Sequence, residues 1–172
     1  MERADASAIY SMLQSLNIPF EHISHAPAMT MDDLKETEKC LGAPFCKNLF
    51  LSNRQQTEFY LLLIRGDKYF RTAEVSKKLG VSRLSFGNED RLYELLGVHP
   101  GAITPMGLVF DEKREVHLLV DRDLLELQRM CVHPCVNTES LVMCVRDLTG
   151  VFFPYTGHTP EYLEITGLVD GE

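Results

Sequence analysis

No apolar stretch in this 172-residue chain approaches the roughly 20 residues that a membrane span requires. The N-terminal Met1-Glu2-Arg3-Ala4-Asp5 also lacks the basic-then-apolar order of a secretory leader. A cytoplasmic protein without a membrane partner is therefore expected. Equally absent are a G-x-S-x-G elbow, a Walker A sequence, a G-x-G-x-x-G turn and an H-E-x-x-H pair, which removes support for common hydrolase and nucleotide-binding classes. Paired cysteines are missing too. The five present (Cys40, Cys46, Cys131, Cys135 and Cys144) are odd in number and scattered, which fits reduced thiols better than a disulfide framework. Cys131-Val-His-Pro-Cys135 has the look of half a metal site, but zinc takes four ligands and no second Cys/His pair accompanies it, so no metal and no cofactor is expected. A Cys–His nucleophile drawn from the same five residues lacks a third group to orient the base, and neighbours in a strand face opposite sides.

What is present is ordinary in bulk and uneven in detail. Hydrophobic residues make up 45% of the chain and charged ones 24%, which suits one domain over residues 1–172 with a real core. The net charge is −8, yet the stretch from Phe45 to Arg83 carries eight basic residues against three acidic ones. That stretch stands at +5 and the remainder at −13. Such asymmetry suits local phosphate contact on a protein that does not coat nucleic acid, or a cluster of cations on a solvated face.

Periodicity and punctuation outline the elements. Ile9, Met12, Leu13 and Leu16 share one face of a helix from Ala6, stopped by Asn17-Ile18-Pro19. Thr30-Met31-Asp32-Asp33 resembles a capping box for a second helix to about Cys40. Strands over Asn48–Ser52 and Glu58–Ile64, separated by the polar residues 53–57, read as a hairpin. Helices are expected over Thr72–Leu79 and Glu89–Leu96, closed by Gly80 and Gly97, with a strand over Leu84–Phe86 between them. Leu108–Phe110 and Val116–Val120 read as a second hairpin around the turn 111–114. A short helix at Leu124–Leu127, strands at Met130–His133 and Ser140–Val145, and a helix over Arg146–Phe153 complete the outline. Helices and hairpins mix without βαβ alternation, so an α+β domain around a largely antiparallel sheet is expected.

Three places have the residue types for chemistry. Lys47-Asn48 interrupts the apolar run Phe45–Leu51; a buried ammonium is costly unless paired, so Lys47 either sits in water at a strand mouth or meets an anionic ligand. Gly101-Ala102-Ile103-Thr104-Pro105 couples a glycine, which lets a backbone N–H approach a ligand, with a stiffening proline; it is a donor loop or a plain helix-to-strand connection. His133-Pro134-Cys135-Val136-Asn137-Thr138 sets an imidazole, an amide and a hydroxyl after a strand, in a catalytic or a structural role.

Together these segments resemble the YbaK/prolyl-tRNA-synthetase-associated editing domains over nearly the whole chain. The L-G-V-x-P-G-x-x-T-P segment beginning at Leu96 and the H-P-x-x-N-T segment beginning at His133 are both complete, which is most similar to the free-standing alanyl-tRNA(Pro) deacylases. The resemblance implies a central mixed sheet, partly closed like a barrel and flanked by helices, with a pocket for the 3′ end of a misacylated tRNA. It implies hydrolysis of the aminoacyl ester of Ala-tRNA(Pro), with Ser-tRNA as a side activity, by a water nucleophile. Lys47, Gly101 and His133 take the catalytic positions; Asn48, Ala102, Ile103, Thr104, Pro105, Asn137 and Thr138 take the substrate-binding ones. Lys77, Lys78 and Arg83 are expected to contact tRNA, and a prolyl-tRNA synthetase is the expected protein partner. A non-catalytic module that holds an aminoacyl-tRNA or nucleotide end for a synthetase is the alternative.

Overall fold

A computed structural model describes residues 5–168. Helix α1 (Ala6–Ser15) begins where the Asp5 carboxylate accepts the Ser7 N–H at 2.9 Å and buries Ile9, Met12 and Leu13. It leads into β1 (Phe20–Ser24). The capping box forms as a reciprocal pair: the Thr30 N–H reaches Asp33 Oδ2 at 2.9 Å and the Asp33 N–H reaches Thr30 Oγ1 at 3.3 Å. It opens a 3-10 turn (Asp32–Leu34) that runs on as α2 (Lys35–Leu41). The hairpin of β2 (Cys46–Ser52) and β3 (Phe59–Arg65) turns on Asn53, whose Oδ1 accepts the N–H groups of Thr57 and Glu58. Next come α3 (Thr72–Leu79), β4 (Ser85–Phe86) and α4 (Glu89–Leu96), the last capped by Asn88 Oδ1 on the Arg91 N–H at 2.8 Å.

Leu108–Phe110 is not a strand, and it forms no hairpin with Val116–Val120. Residues Pro105–Phe110 make a 3-10 helix with Thr104 as its N-cap and proline at its start, a position that needs no N–H donor. The following strand, β5 (Val116–Asp121), instead runs parallel to β3, pairing Phe59 with Val116 and Leu63 with Val120. A 3-10 turn (Arg122–Glu126) connects it to the hairpin of β6 (Arg129–Val132) and β7 (Glu139–Cys144). The last helical stretch is α5 (Val145–Asp147), a π-helical turn (Leu148–Phe152) and α6 (Phe153–Thr156), and β8 (Glu161–Leu163) closes the order. None of the helices is long and apolar enough to cross a membrane, among the described residues.

The strands form two sheets, a five-stranded mixed one ordered β4-β2-β3-β5-β8 and a three-stranded antiparallel one ordered β1-β7-β6. β3 is the central strand of the larger sheet and is buried on both faces, which is why Phe59 to Ile64 read as an unbroken apolar run. One face meets Ile9, Leu13, Leu96, Leu141, Phe152 and Phe153; the other meets Val75, Leu84 and Leu119. The two sheets join at one point, a parallel bridge between Phe45 and Cys131, reinforced by the Cys131 N–H on the Pro44 carbonyl at 2.9 Å. That seam places the start of β2 beside the end of β6.

Candidate active site

At the seam lies a cleft of about 270 Å³ lined by residues from four parts of the chain. Lys47 and Asn48 come from β2, Gly101 and Ile103 from the loop after α4, His133 from the end of β6, and Ala28, Met29, Thr30, Met31 and Leu34 from the segment before α2. Three segments separated by dozens of residues in sequence thus share one wall. Among the described residues no carboxylate lines the cleft.

Lys47 is half-buried, and its ammonium donates to the Lys68 carbonyl while lying 5.7 Å from the centroid of the Tyr69 ring. The carbonyl is itself held in place. Lys68 Nζ bonds Asp121 Oδ1 at 2.9 Å, Asp123 Oδ2 at 2.7 Å and the Ile165 carbonyl at 2.6 Å. Burial pulls the Lys68 pKa down, but its bonds to Asp123 and Asp121 outweigh that and hold it above the usual lysine value. Asn48 turns its Oδ1 toward the Cys46 thiol at 3.3 Å, and its Nδ2 makes no hydrogen bond among the described residues.

Gly101 has φ +90°, a left-handed backbone open to glycine. A Cβ built there would also lie 2.8 Å from Met29 Sδ and 2.9 Å from Met29 Cε. The backbone conformation is what favours glycine, since the exposed Met29 side chain can move. Among the described residues no acceptor takes the Gly101 N–H, so a residue that lines the cleft carries an unused backbone donor. Farther along the loop, Thr104 Oγ1 donates to the His133 carbonyl at 2.6 Å and ties the loop to the end of β6. Ala102, Thr104 and Pro105 are buried behind the wall and do not line the cleft.

His133 is buried, and burial lowers its pKa, so the ring is neutral near pH 7. Its Nδ1 lies 3.0 Å from the Glu139 carbonyl, a group that can only accept; the proton therefore sits on Nδ1, and Nε2 keeps a lone pair. Behind it, Ser140 Oγ lies 3.4 Å from the same Nδ1 and 2.6 Å from His25 Nε2, while His25 Nδ1 donates to the Ala26 carbonyl at 2.7 Å. His25 and Ser140 brace His133 from outside the cleft. Asn137 and Thr138 do not line the cleft either. They clamp the segment that does: the Ala28 N–H reaches the Asn137 carbonyl at 3.1 Å, Asn137 Nδ2 reaches the Ala28 carbonyl at 3.3 Å, and the His25 N–H reaches the Thr138 carbonyl at 2.9 Å. Lys77 and Lys78 are exposed at the end of α3 and Arg83 in the turn before β4, outside the cleft lining.

The thiols behave as core groups. Burial pushes Cys46, Cys131 and Cys135 each up to about 12, far from the thiolate form that attacks or binds metal. Sequence reasoning missed the wall from Ala28 to Leu34, whose signal is the capping box at Thr30 and not any reactive side chain. The Lys68 carbonyl and the His25–Ser140 brace gave no local sequence signal at all.

The cleft therefore offers an ammonium, an amide, an unused backbone N–H and a neutral imidazole against an apolar wall of Ala28, Met31, Leu34, Phe45 and Ile103. A model of the aminoacyl-tRNA editing domain matches residues 25–151, which contain every one of the cleft residues. The chain is 30% identical over 151 residues to a prolyl-tRNA editing protein, ProX, of Acetoanaerobium sticklandii, covering 88% of this chain and 92% of that one. It is 31% identical over 153 residues to prolyl-tRNA synthetase associated domain-containing protein 1 of Danio rerio, covering 88% and 82%. Its fold superposes with a TM-score of 0.69 on the crystal structure of a candidate trans-editing enzyme for prolyl tRNA synthetase, at 16% identity and over 96% of this chain and 99% of that one. The chain belongs to the aminoacyl-tRNA editing domain family, a family of enzymes that deacylate aminoacyl-tRNA.

Proposed function

We propose that this editing domain removes alanine from mischarged Ala-tRNA(Pro), with serine as a side activity, acting on tRNA released from or handed over by a prolyl-tRNA synthetase. The convergence of Lys47, the unused Gly101 N–H and neutral His133 in one cleft with a small apolar wall carries this reading. An aminoacyl ester is reactive, so orienting it and stabilising the oxyanion suffices without a side-chain nucleophile. The Gly101 N–H donates to the ester carbonyl as negative charge develops there, each such donor contributing roughly 10²–10³ in rate. Lys47 pairs with the terminal phosphate or ribose, and Asn48 steadies that contact. His133 sets the wall and keeps a lone pair on Nε2. Water, oriented by the 2′-hydroxyl of the terminal adenosine, attacks; the carbon–oxygen ester bond breaks, and the 3′-hydroxyl leaves with a proton.

Size gives the selectivity. A synthetase pocket built for proline cannot strongly exclude the smaller alanine, so the complementary sieve is a second site that admits a methyl group and rejects a pyrrolidine ring, a role we assign to the wall of Met31, Leu34, Phe45 and Ile103. The test is a deacylation panel with Ala, Ser, Cys and Pro on tRNA(Pro). Alanine should be released fastest and proline hardly at all; folded Lys47→Ala that turns over Ala-tRNA(Pro) at the wild-type rate would sink the assignment.

A further inference from the structure

The two most exposed aromatic residues among the described residues are Tyr69 at 60% and Phe86 at 62%. The Lys47 ammonium is 5.7 Å from the Tyr69 centroid, which puts Tyr69 beside a residue that lines the cleft. Its neighbour Phe70 contacts Phe86 with centroids 6.0 Å apart at 56°, and packs with Leu49, another cleft residue, against the core under β2. Lys47 with Tyr69, and Phe70 with Phe86, therefore link the cleft lining to two exposed rings through pairwise contacts and one chain step.

Neither exposed ring rides on a loose backbone. The Tyr69 N–H is held by the Gly167 carbonyl at 3.1 Å and follows Lys68, fixed on Asp121 and Asp123. Phe86 is paired with Leu51 in β4, and its carbonyl accepts from Gln56 Nε2 at 3.2 Å. Holding an apolar ring rigidly in water has no folding benefit; it suits a flat partner. Between Phe70 and Phe86 in the chain the one carboxylate, Glu74, is bonded to the Thr166 and Gly167 N–H groups, while Lys77, Lys78 and Arg83 are exposed and make no ion pair among the described residues. Rigid aromatic faces flanked by free cations suit single-stranded nucleic acid, whose bases stack while its phosphates meet the charge.

We propose that Tyr69 and Phe86 form a stacking platform for the unpaired 3′-terminal nucleotides of the tRNA, delivering the acylated end to the cleft past Lys47. This deepens the editing assignment and rests on it for the identity of the strand. The terminal base stacks on Tyr69, so that its phosphate comes within reach of Lys47, and the preceding nucleotides continue toward Phe86 and the cations of α3.

The test uses a short single-stranded RNA ending in CC followed by 2-aminopurine, with no amino acid attached, alongside single-turnover deacylation of Ala-tRNA(Pro). Wild-type protein should quench the 2-aminopurine fluorescence. Tyr69→Ala should lose the quenching and weaken RNA binding roughly tenfold, Tyr69→Phe should restore both, and Phe86→Ala should weaken binding while leaving the terminal base quenched. Equal RNA affinity and quenching in a folded Tyr69→Ala, Phe86→Ala double variant would overturn the platform, even if wild-type protein deacylates normally. Quenching that depends on Tyr69 supports the platform even if wild-type protein leaves every aminoacyl-tRNA intact, a result that would instead remove the editing assignment.

Discussion

Replacing Gly101 with alanine separates two reasons for a glycine that the structure superimposes. At φ +90° a non-glycine residue costs about 1–3 kcal/mol, equivalent to a fall on the order of 5 °C in Tm for a domain of this size. The added methyl also meets Met29 Sδ at 2.8 Å, but Met29 is 63% exposed and can swing away, so the collision itself is cheap. Stability should thus fall modestly. Activity should fall far more, because relief of the strain turns the Gly101 N–H away from the ester carbonyl and removes a donor worth roughly 10²–10³ in kcat. Single-turnover deacylation of Ala-tRNA(Pro) by Gly101→Ala, with and without Met29→Ala, reads the two effects apart. Removing the Met29 side chain should leave the activity deficit in place. If Met29→Ala restores the rate in the Gly101→Ala background, the glycine is there for space and the donor assignment fails.

The remaining predictions touch charge and burial. Reversing Lys77, Lys78 and Arg83 together should lower tRNA affinity and reduce the slope of log K against log salt by about two to three; an unchanged slope would remove them from the interface. Lys68→Met leaves Asp121, which is fully buried, without its cation, and should cost about 3–5 kcal/mol of stability in chemical denaturation. A stability equal to wild type would show the pair to be dispensable. Asp111 is buried, and although burial alone would raise its pKa, its bonds to His158 and to the N–H groups of Val116 and Glu115 hold it below the usual carboxylate range. A carboxylate depressed in the folded state stabilises above its unfolded pKa and loses that contribution as pH falls through the folded one. Stability should therefore drop as pH falls below about 4, and Asp111→Asn should be less stable at pH 7 with a shallower acid limb in pH-dependent denaturation. An acid limb of unchanged steepness would put the linkage elsewhere.

How far the sequence reveals the fold depends on whether a local signal decides each segment. α3 and α4 end where expected because Gly80 and Gly97 stop them in left-handed conformation, a choice made within one residue. The β2–β3 hairpin is legible because a two-face-buried strand is an apolar run and Asn53 fixes its turn. β1 and β8 are not, since Phe20–Ser24 and Glu161–Leu163 are mostly exposed or half-buried and have no alternation to read. Leu108-Val109-Phe110 fails for another reason: three apolar residues fit a strand or a helical turn equally, and Thr104-Pro105 tips them to the turn by supplying a cap and a proline-compatible start. In the same way, the reactive side of the cleft is legible in Lys47, Gly101 and His133, while its apolar side, Ala28 to Leu34, is shaped by backbone bonds from Asn137 that no residue type announces.

Lys47 shows why the pocket needed three dimensions to be understood. A lysine in an apolar strand reads as a solvated strand end or a ligand contact, and the choice turns on what neutralises or satisfies the ammonium. The satisfying group is the carbonyl of Lys68, whose own ammonium is bound by Asp121 and Asp123. The Lys68 ammonium is thus already paired. Lys47 spends one of its three donors on a neutral carbonyl, and among the described residues no carboxylate lines the cleft beside it. An anionic group arriving there gains a charge-assisted bond stronger than the one it adds to or displaces. The cation is held at the mouth by the acidic pair beneath its neighbour, so the capacity of β2 to place a substrate depends on residues more than 50 positions away.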